Sequence, residues 1–212
     1  MGRSFVVIEG RGEEQAMLNL LTRLSSDLGR PDVVWAIGGR GNVLNRQGAL
    51  LNVCERLRAR GDCERLLIVQ DDEDGCPRED GPTMAAWVRA IALPFPAAVV
   101  LLYREYETLF LPCLPTMAGK ALRGARDIEL PPLQADARYE DNPEKPRDAK
   151  GVLRRFFPRT APYQPTTHQL ALTRLIDFDV LRASGLPCFG TLERALHFLH
   201  AAAAGAVYPP AP

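Results

Sequence analysis

Acidic side chains gather at three places in this chain of 212 residues: Glu9 in VVIEG, the run Asp71-Asp72-Glu73-Asp74, and Glu105 and Glu107 in REYE. Each place follows an apolar run, and Glu13 stands close behind Glu9. Carboxylates brought together repel one another and cost stability unless a cation neutralises them, and hard oxygen ligands suit Mg²⁺ or Mn²⁺. The pattern therefore predicts a divalent-metal site. A metal in such a site polarises a phosphoryl oxygen and activates water, while a carboxylate such as Glu9 or Glu13 handles the proton. Arg11, Arg40, Lys150, Arg154 and Arg155 are the candidate phosphate contacts.

Plainer roles compete at each place. Glu9 could accept backbone N–H groups at the start of the next helix, the acidic run could be a solvated loop, and Glu105 could pair with Arg104. Two glycine pairs, Gly10/Gly12 and Gly39/Gly41, stop short of a dinucleotide fingerprint, because Gln15 and Leu44 occupy the third-glycine positions. Neither segment carries the Gly-Lys-Ser/Thr of a P-loop, so an NAD or ATP site is disfavoured.

The elements that must position these groups alternate between short β-rich runs and helix-period segments, the pattern of βαβ units around a parallel sheet. Strands are expected at Ser4–Ile8, Val33–Ile37, Leu66–Val69 and Ala97–Tyr103. Helices are expected around Ala16–Leu24, around Leu50–Leu57 with Gly61 closing it, and over Met84–Ile91. In an open parallel sheet ligands bind beyond the carboxyl ends of the strands, where the acidic groups fall. Past Pro112 the chain reads as helical without further strands, with a Pro- and charge-rich loop over 130–165. Thr166 and Thr191 are candidate helix caps, and Ala201–Pro212 is expected to fray. The division expected is an α/β catalytic domain over 1–112 and a mainly helical extension over 113–212.

The chain carries 26 basic and 26 acidic residues, yet residues 1–110 hold 13 basic and 16 acidic ones, a net of −3, and the remainder a net of +3. With 46% apolar and 25% charged residues it is an ordinary globular composition, which excludes disordered and collagen-like classes. Five cysteines without a CxxC pair fit a reducing cytoplasm better than a disulfide framework. The opening MGRSFVVIEG has too short an apolar run for a signal peptide, and Val6 stands where a myristoylation motif wants Ser or Thr. The longest apolar stretch, Ile91–Tyr103, is broken by Pro94 and Pro96, and no membrane span is expected.

Glu-Gly at the end of the first strand, Glu13 opening the next helix and a DxD-type cluster after a later strand resemble the Toprim domain of topoisomerases, primases and overcoming-lysogenization-defect nucleases. With VIEGRGEEQ, LYREYETLFL and the stretch from DAKGVLRRFFP to GTLERAL, the chain is similar from Phe5 to about Leu199 to small Toprim-like proteins of the DUF4276 family. These are often encoded beside ATPase genes in bacterial defence loci. The fold this implies is α/β, a Toprim-like (Rossmann-like) parallel sheet flanked by helices, with a helical C-terminal portion.

The resemblance further implies a Mg²⁺- or Mn²⁺-dependent acid cluster acting on phosphodiesters, with Glu9 as general acid/base or metal ligand and the DxD carboxylates on the metal. Aligned through Asp74, Gly75 and Cys76, the family's leading aspartate falls on Gln70 and the next on Asp72, followed by Asp74; a shifted alignment makes Asp71 and Glu73 the pair. Period-two alternation keeps either pair on one side and does not choose between them. Asp72 and Asp74 are preferred. The expected catalytic residues are then Glu9, Glu13 and Asp72, and the expected metal ligands Glu9, Asp71, Asp72 and Asp74, with Glu105 and Glu107 as additional acids. The expected activity is a nuclease on DNA, in antiviral defence with an ATPase partner and with self-association as a further expectation. Gln70 in place of a carboxylate weakens one metal position. It motivates the alternative of a non-catalytic module that binds nucleic acid or the ATPase.

Overall fold

The computed structural model describes residues 2–211, leaving Met1 of the N-terminal segment and Pro212 of the tail outside the described residues. The first half runs β1 (Arg3–Ile8), α1 (Glu14–Asp27), β2 (Trp35–Arg40), α2 (Gln47–Arg58), β3 (Cys63–Asp71), α3 (Pro77–Arg89) and β4 (Ala97–Leu102). The second half adds α4 (Leu114–Met117), β5 (Leu122–Arg123), β6 (Glu129–Leu130), α5 (Ala149–Arg154), α6 (Pro165–Thr173), α7 (Phe178–Ser184), α8 (Pro187–Ala201) and β7 (Val207–Tyr208). Five strands form one sheet in the order β2-β1-β3-β4-β7 with every pairing parallel, a Rossmann-like α/β architecture. Among the described residues no helix is long and apolar enough to cross a membrane.

Strand alternation divides the interior into two layers. Val6, Ile8, Leu67, Val69, Val100 and Leu102 face a core shared with α1 and the C-terminal helices. Phe5, Val7, Leu66, Ile68, Val99 and Leu101 face the core shared with α2 and α3. Both sheet faces are covered, so β3 and β4 read as continuous apolar runs. The second half does not stand apart from the first, because Leu172 of α6 and Leu192, Leu196 and Leu199 of α8 belong to the same apolar cluster as α1.

Several sequence expectations are corrected. The second strand lies later than Val33–Ile37, and Gly38 and Gly39 are part of it: a Cβ on either would come within 3.0 Å of Phe5 Cβ or Val53 Cγ1, so these glycines let the sheet and α2 pack closely. The helix expected to start at Met84 starts at Pro77, whose missing N–H costs nothing in a first turn. The C-terminal half does hold strands. Its tail is tied down rather than frayed, since Val207 and Tyr208 pair with Ala97 and Ala98 at the sheet edge. Neither threonine caps a helix: α6 begins at Pro165 behind Gln164, and Thr191 lies inside α8, donating its hydroxyl to Pro187 O at 2.9 Å.

Candidate active site

Four elements deliver carboxylates to one end of the sheet. Glu9 follows β1, and a single 3-10 turn over Arg11–Glu13 then carries Glu13 to the start of α1, its N–H donating to Gly10 O. Asp71 is the last residue of β3. Glu107 lies in the 3-10 turn Tyr106–Phe110 that follows β4.

Glu107 is fully buried, with Oε1 accepting from Tyr163 Oη at 2.8 Å and from Gln169 Nε2 at 3.4 Å. Its Oε2 accepts no hydrogen bond from the described residues and lies 3.8 Å from Lys150 Nζ. Lys150 donates instead to Glu105 Oε1 at 2.7 Å, while its backbone N–H donates to Glu105 Oε2 at 3.1 Å. Glu105 thereby holds both the side chain and the helix start from which Lys150 projects. Tyr163 is kept in place by the rings of Phe157 and His168, 5.6 and 5.9 Å away.

The electrostatics join these groups into one cluster. Burial, then repulsion from Glu107 and Glu9, lifts the Glu13 carboxyl from 4.5 to about 7. Burial also drives Asp71 well above the usual carboxylate range, reinforced by Glu13, Glu107 and Glu9 and opposed by Lys150. For Glu107 burial again raises the value against the pull of Lys150 and the Tyr163 hydrogen bond. Burial works against the Lys150 ammonium, but Glu107, Glu105 and Asp71 outweigh it and keep the lysine charged. The Lys150 ammonium faces Glu13, Asp71, Glu105 and Glu107, and burial first, with the surplus negative charge second, raises the proton affinities of Glu13, Asp71 and Glu107.

Of the residues expected to act together, the structure brings together Glu9, Glu13, Asp71 and Glu107. Asp72 does not join them. Its Oδ1 accepts from Gly75 N at 2.9 Å, next to Asp80, whose Oδ2 accepts from Cys76 N at 3.1 Å. A Cβ at position 75 would push both carboxylates aside, so glycine here lets them close on the turn. Asp74 points to solvent and pairs with Arg147 at 3.5 Å. Arg40 pairs with Glu14, Arg154 is exposed without an ion pair among the described residues, and Lys150 belongs to the acid cluster rather than to an exposed helix face.

Gln70, standing where the resemblance wants an aspartate, is buried on the other side of the sheet from Asp71. Its Oε1 accepts from Val43 N at 2.9 Å. The neighbouring Asn42 donates from Nδ2 to Glu9 Oε1 at 2.9 Å. Asn42, Tyr163 and Gln169 were not anticipated. Tyr163 and Gln169 approach only through tertiary packing, and nothing in their local sequence marks them.

The donor set suits a hard divalent cation: carboxylate oxygens, with Glu107 Oε2 buried, without a hydrogen bond and countered by Lys150 Nζ only at 3.8 Å. The arrangement is not a finished coordination shell, since among the described residues no three Asp, Glu, His or Cys groups are gathered as a ready-made metal site. Glu9, Asp71 and Glu107 are the carboxylates that would hold such an ion, with Glu13 beside them.

A family model described as a domain of unknown function (DUF4276) matches residues 8–197. No curated protein and no solved structure matches the chain.

Proposed function

The chain belongs to the DUF4276 family, and we propose that it is a divalent-metal-dependent phosphodiesterase of the Toprim-like nuclease type, centred on Glu9, Glu13, Asp71 and Glu107. The observation that carries this reading is Glu107 Oε2, a buried carboxylate oxygen without a hydrogen bond, in a cluster whose charge Lys150 alone does not balance. A buried carboxylate oxygen left without a hydrogen bond is costly and is retained where a site uses it.

Bound Mg²⁺ or Mn²⁺ would supply charge neutralisation and Lewis acidity at the phosphoryl group. The protein's own groups do the rest. Glu13, with a proton affinity near neutrality, takes a proton from the attacking water and returns it toward the departing oxygen. Asn42 fixes the orientation of Glu9, and the Tyr163 and Gln169 hydrogen bonds fix Glu107. Lys150 opposes the rise that burial gives the Glu107 proton affinity and leaves a positive charge beside the place a phosphate would take. The setting proposed with this chemistry is cytoplasmic antiviral defence on DNA, with an ATPase partner and self-association.

Hydrolysis of plasmid DNA, linear DNA and RNA with Mn²⁺ tests the reading. Wild type should cleave, and Glu9→Gln and Asp71→Asn should lose at least about a hundredfold in rate. Equal rates for wild type and both variants would sink it. One observation favours a second reading, a binding module without turnover: Lys150 already occupies the acid cluster as its cation, and among the described residues no ready-made three-donor site accompanies it. Salt-dependent nucleic-acid binding without Mn²⁺-dependent cleavage is the result that reading expects.

A further inference from the structure

Beside the acid cluster, along the β2 edge of the sheet, lies an open groove of about 650 Å³ lined by Glu9, Arg11, Arg40, Arg56 and Arg60 over a floor that includes Gly38 and Gly39; it runs from Glu9 at the carboxyl end of β1 toward Arg60, beside Phe5. Four guanidinium groups thus face one carboxylate, and that carboxylate is the outermost member of the catalytic cluster. Local sequence accounts for the gathering. Because Gly38 and Gly39 have no side chains, α2 packs close against β2, and its C-terminal end brings Arg56 and Arg60 to the rim. The N–H of Gly41 donates to both Ile8 O and Glu9 O, fastening the loop that carries Arg40 to the end of β1.

Two of the four guanidiniums are without an internal partner: Arg11 and Arg56 form no ion pair among the described residues. Arg40 pairs with Glu14, and Arg60 donates from Nε and Nη2 to Asp62 at 2.8 Å, with its remaining N–H groups still facing outward; all four side chains are exposed. Arg60 is also steadied by its position 4.6 Å over the Phe5 ring. No aromatic ring lines the groove, and its one larger apolar contributor is Leu57, so there is nothing on which a base would stack. Forked arginines without a base platform are suited to phosphate oxygens spaced along a backbone. In addition, β2 is an edge strand, so the groove opens sideways to solvent, whereas Tyr163 and Gln169 close off the Glu107 side.

We propose that this groove is a sequence-independent subsite for the sugar–phosphate backbone of a polynucleotide, gripping the strand on the Glu9 side of the scissile phosphate, with Arg56 and Arg60 as its outer contacts. This rests on the phosphodiesterase reading for the identity of the neighbouring centre, and it makes the substrate a polymer rather than a free nucleotide.

Binding and hydrolysis separate the two ideas. Fluorescence anisotropy of labelled DNA and RNA single strands of roughly 30 nucleotides, in EDTA across a salt series, reads the groove without any chemistry. Wild type should bind both strands with a steep salt dependence, and Arg56→Ala/Arg60→Ala should weaken both about tenfold or more and flatten the log–log salt slope by about 1–2. Arg56→Lys/Arg60→Lys should recover much of the slope. Arg56→Ala alone, at an exposed position, gives an intermediate loss if the double variant is unstable. Hydrolysis of bis(p-nitrophenyl) phosphate with Mn²⁺, which is too small to reach the outer arginines, should be unchanged in every groove variant. Unaltered affinity and slope in the double variant overturn the subsite even if the small diester is hydrolysed. Failure of wild type to hydrolyse either substrate counts against the catalytic reading, while the anisotropy series still decides the groove.

Discussion

Asp71 and Asp72, adjacent in the chain, serve opposite faces of the sheet. Asp71 ends β3 on the face shared with Glu13, Glu107 and Lys150, while Asp72 turns toward α3 and accepts the Gly75 N–H at 2.9 Å. Asp72 is further fixed by its own N–H donating to Leu102 O at 2.8 Å. A one-residue change of register thus separates a group of the acid cluster from a turn-forming one.

Substitution of the two aspartates should give opposite phenotypes. Asp72→Ala removes the buried acceptor of an otherwise exposed turn and should cost about 1 kcal/mol in urea unfolding, with the hydrolytic rate of the remaining folded protein within about threefold of wild type. Asp71→Asn should keep or raise metal-free stability while hydrolysis falls at least about a hundredfold. Both properties are measurable on the same preparations, and a reversed pattern would contradict the placement.

Metal-free stability should fall as pH rises. Glu13, Asp71 and Glu107 all have raised folded-state proton affinities, so between their ordinary and raised values the folded chain holds more protons than the unfolded one. That stabilisation is present below the ordinary carboxylate range and is lost as pH climbs through the folded values. For Glu13 the window runs from 4.5 to about 7, worth about 3 kcal/mol. Urea unfolding in EDTA at pH 5 and pH 8 should show the decline, and Glu13→Gln should flatten it. Mn²⁺ should stabilise more at pH 8 than at pH 5, because protons compete for the same oxygens.

Removing the internal cation should expose how much it holds together. Lys150→Met leaves Glu105 and the buried Glu107 without their partner and should destabilise the protein by about 2–3 kcal/mol at pH 8, and by less as pH falls, because the raised proton affinity of Glu107 favours its neutral form. Adding Glu107→Gln should restore part of the loss. Thermal melts of the two single variants and the double variant form the cycle that measures the coupling.

Asn42 should matter for rate more than for stability. It is exposed, and its side chain donates to Glu9 Oε1. Asn42→Ala should therefore leave the melting temperature nearly unchanged while lowering kcat by about three- to tenfold. An unchanged kcat would remove Asn42 from the positioning of Glu9.

The strands that carry the acids were readable because SFVVI, LLIV and AAVVLL are buried on both faces and therefore almost continuously apolar. The second strand was read too early because its glycines, required by the close packing of α2, carry no strand signal. The tail strand pairs through Val207 and Tyr208 alone, too few residues for periodicity to register. Glu9, Glu13 and Glu107 were identifiable as acids just past strand ends. The choice between Asp71 and Asp72 was not, since alternation shows which residues share a face but not which face the partners occupy. Those partners include Lys150, Tyr163 and Gln169, which arrive from a Pro- and charge-rich stretch and the helix after it, long distances along the chain.

Titration calorimetry of Mn²⁺ into EDTA-stripped protein at pH 8 tests the central claim most directly, using wild type, Asp71→Asn and Asp72→Asn. Wild type and Asp72→Asn should bind Mn²⁺ alike, and Asp71→Asn should bind at least about tenfold more weakly. No binding by wild type, or loss in Asp72→Asn with retention in Asp71→Asn, would contradict a metal held by Glu9, Asp71 and Glu107.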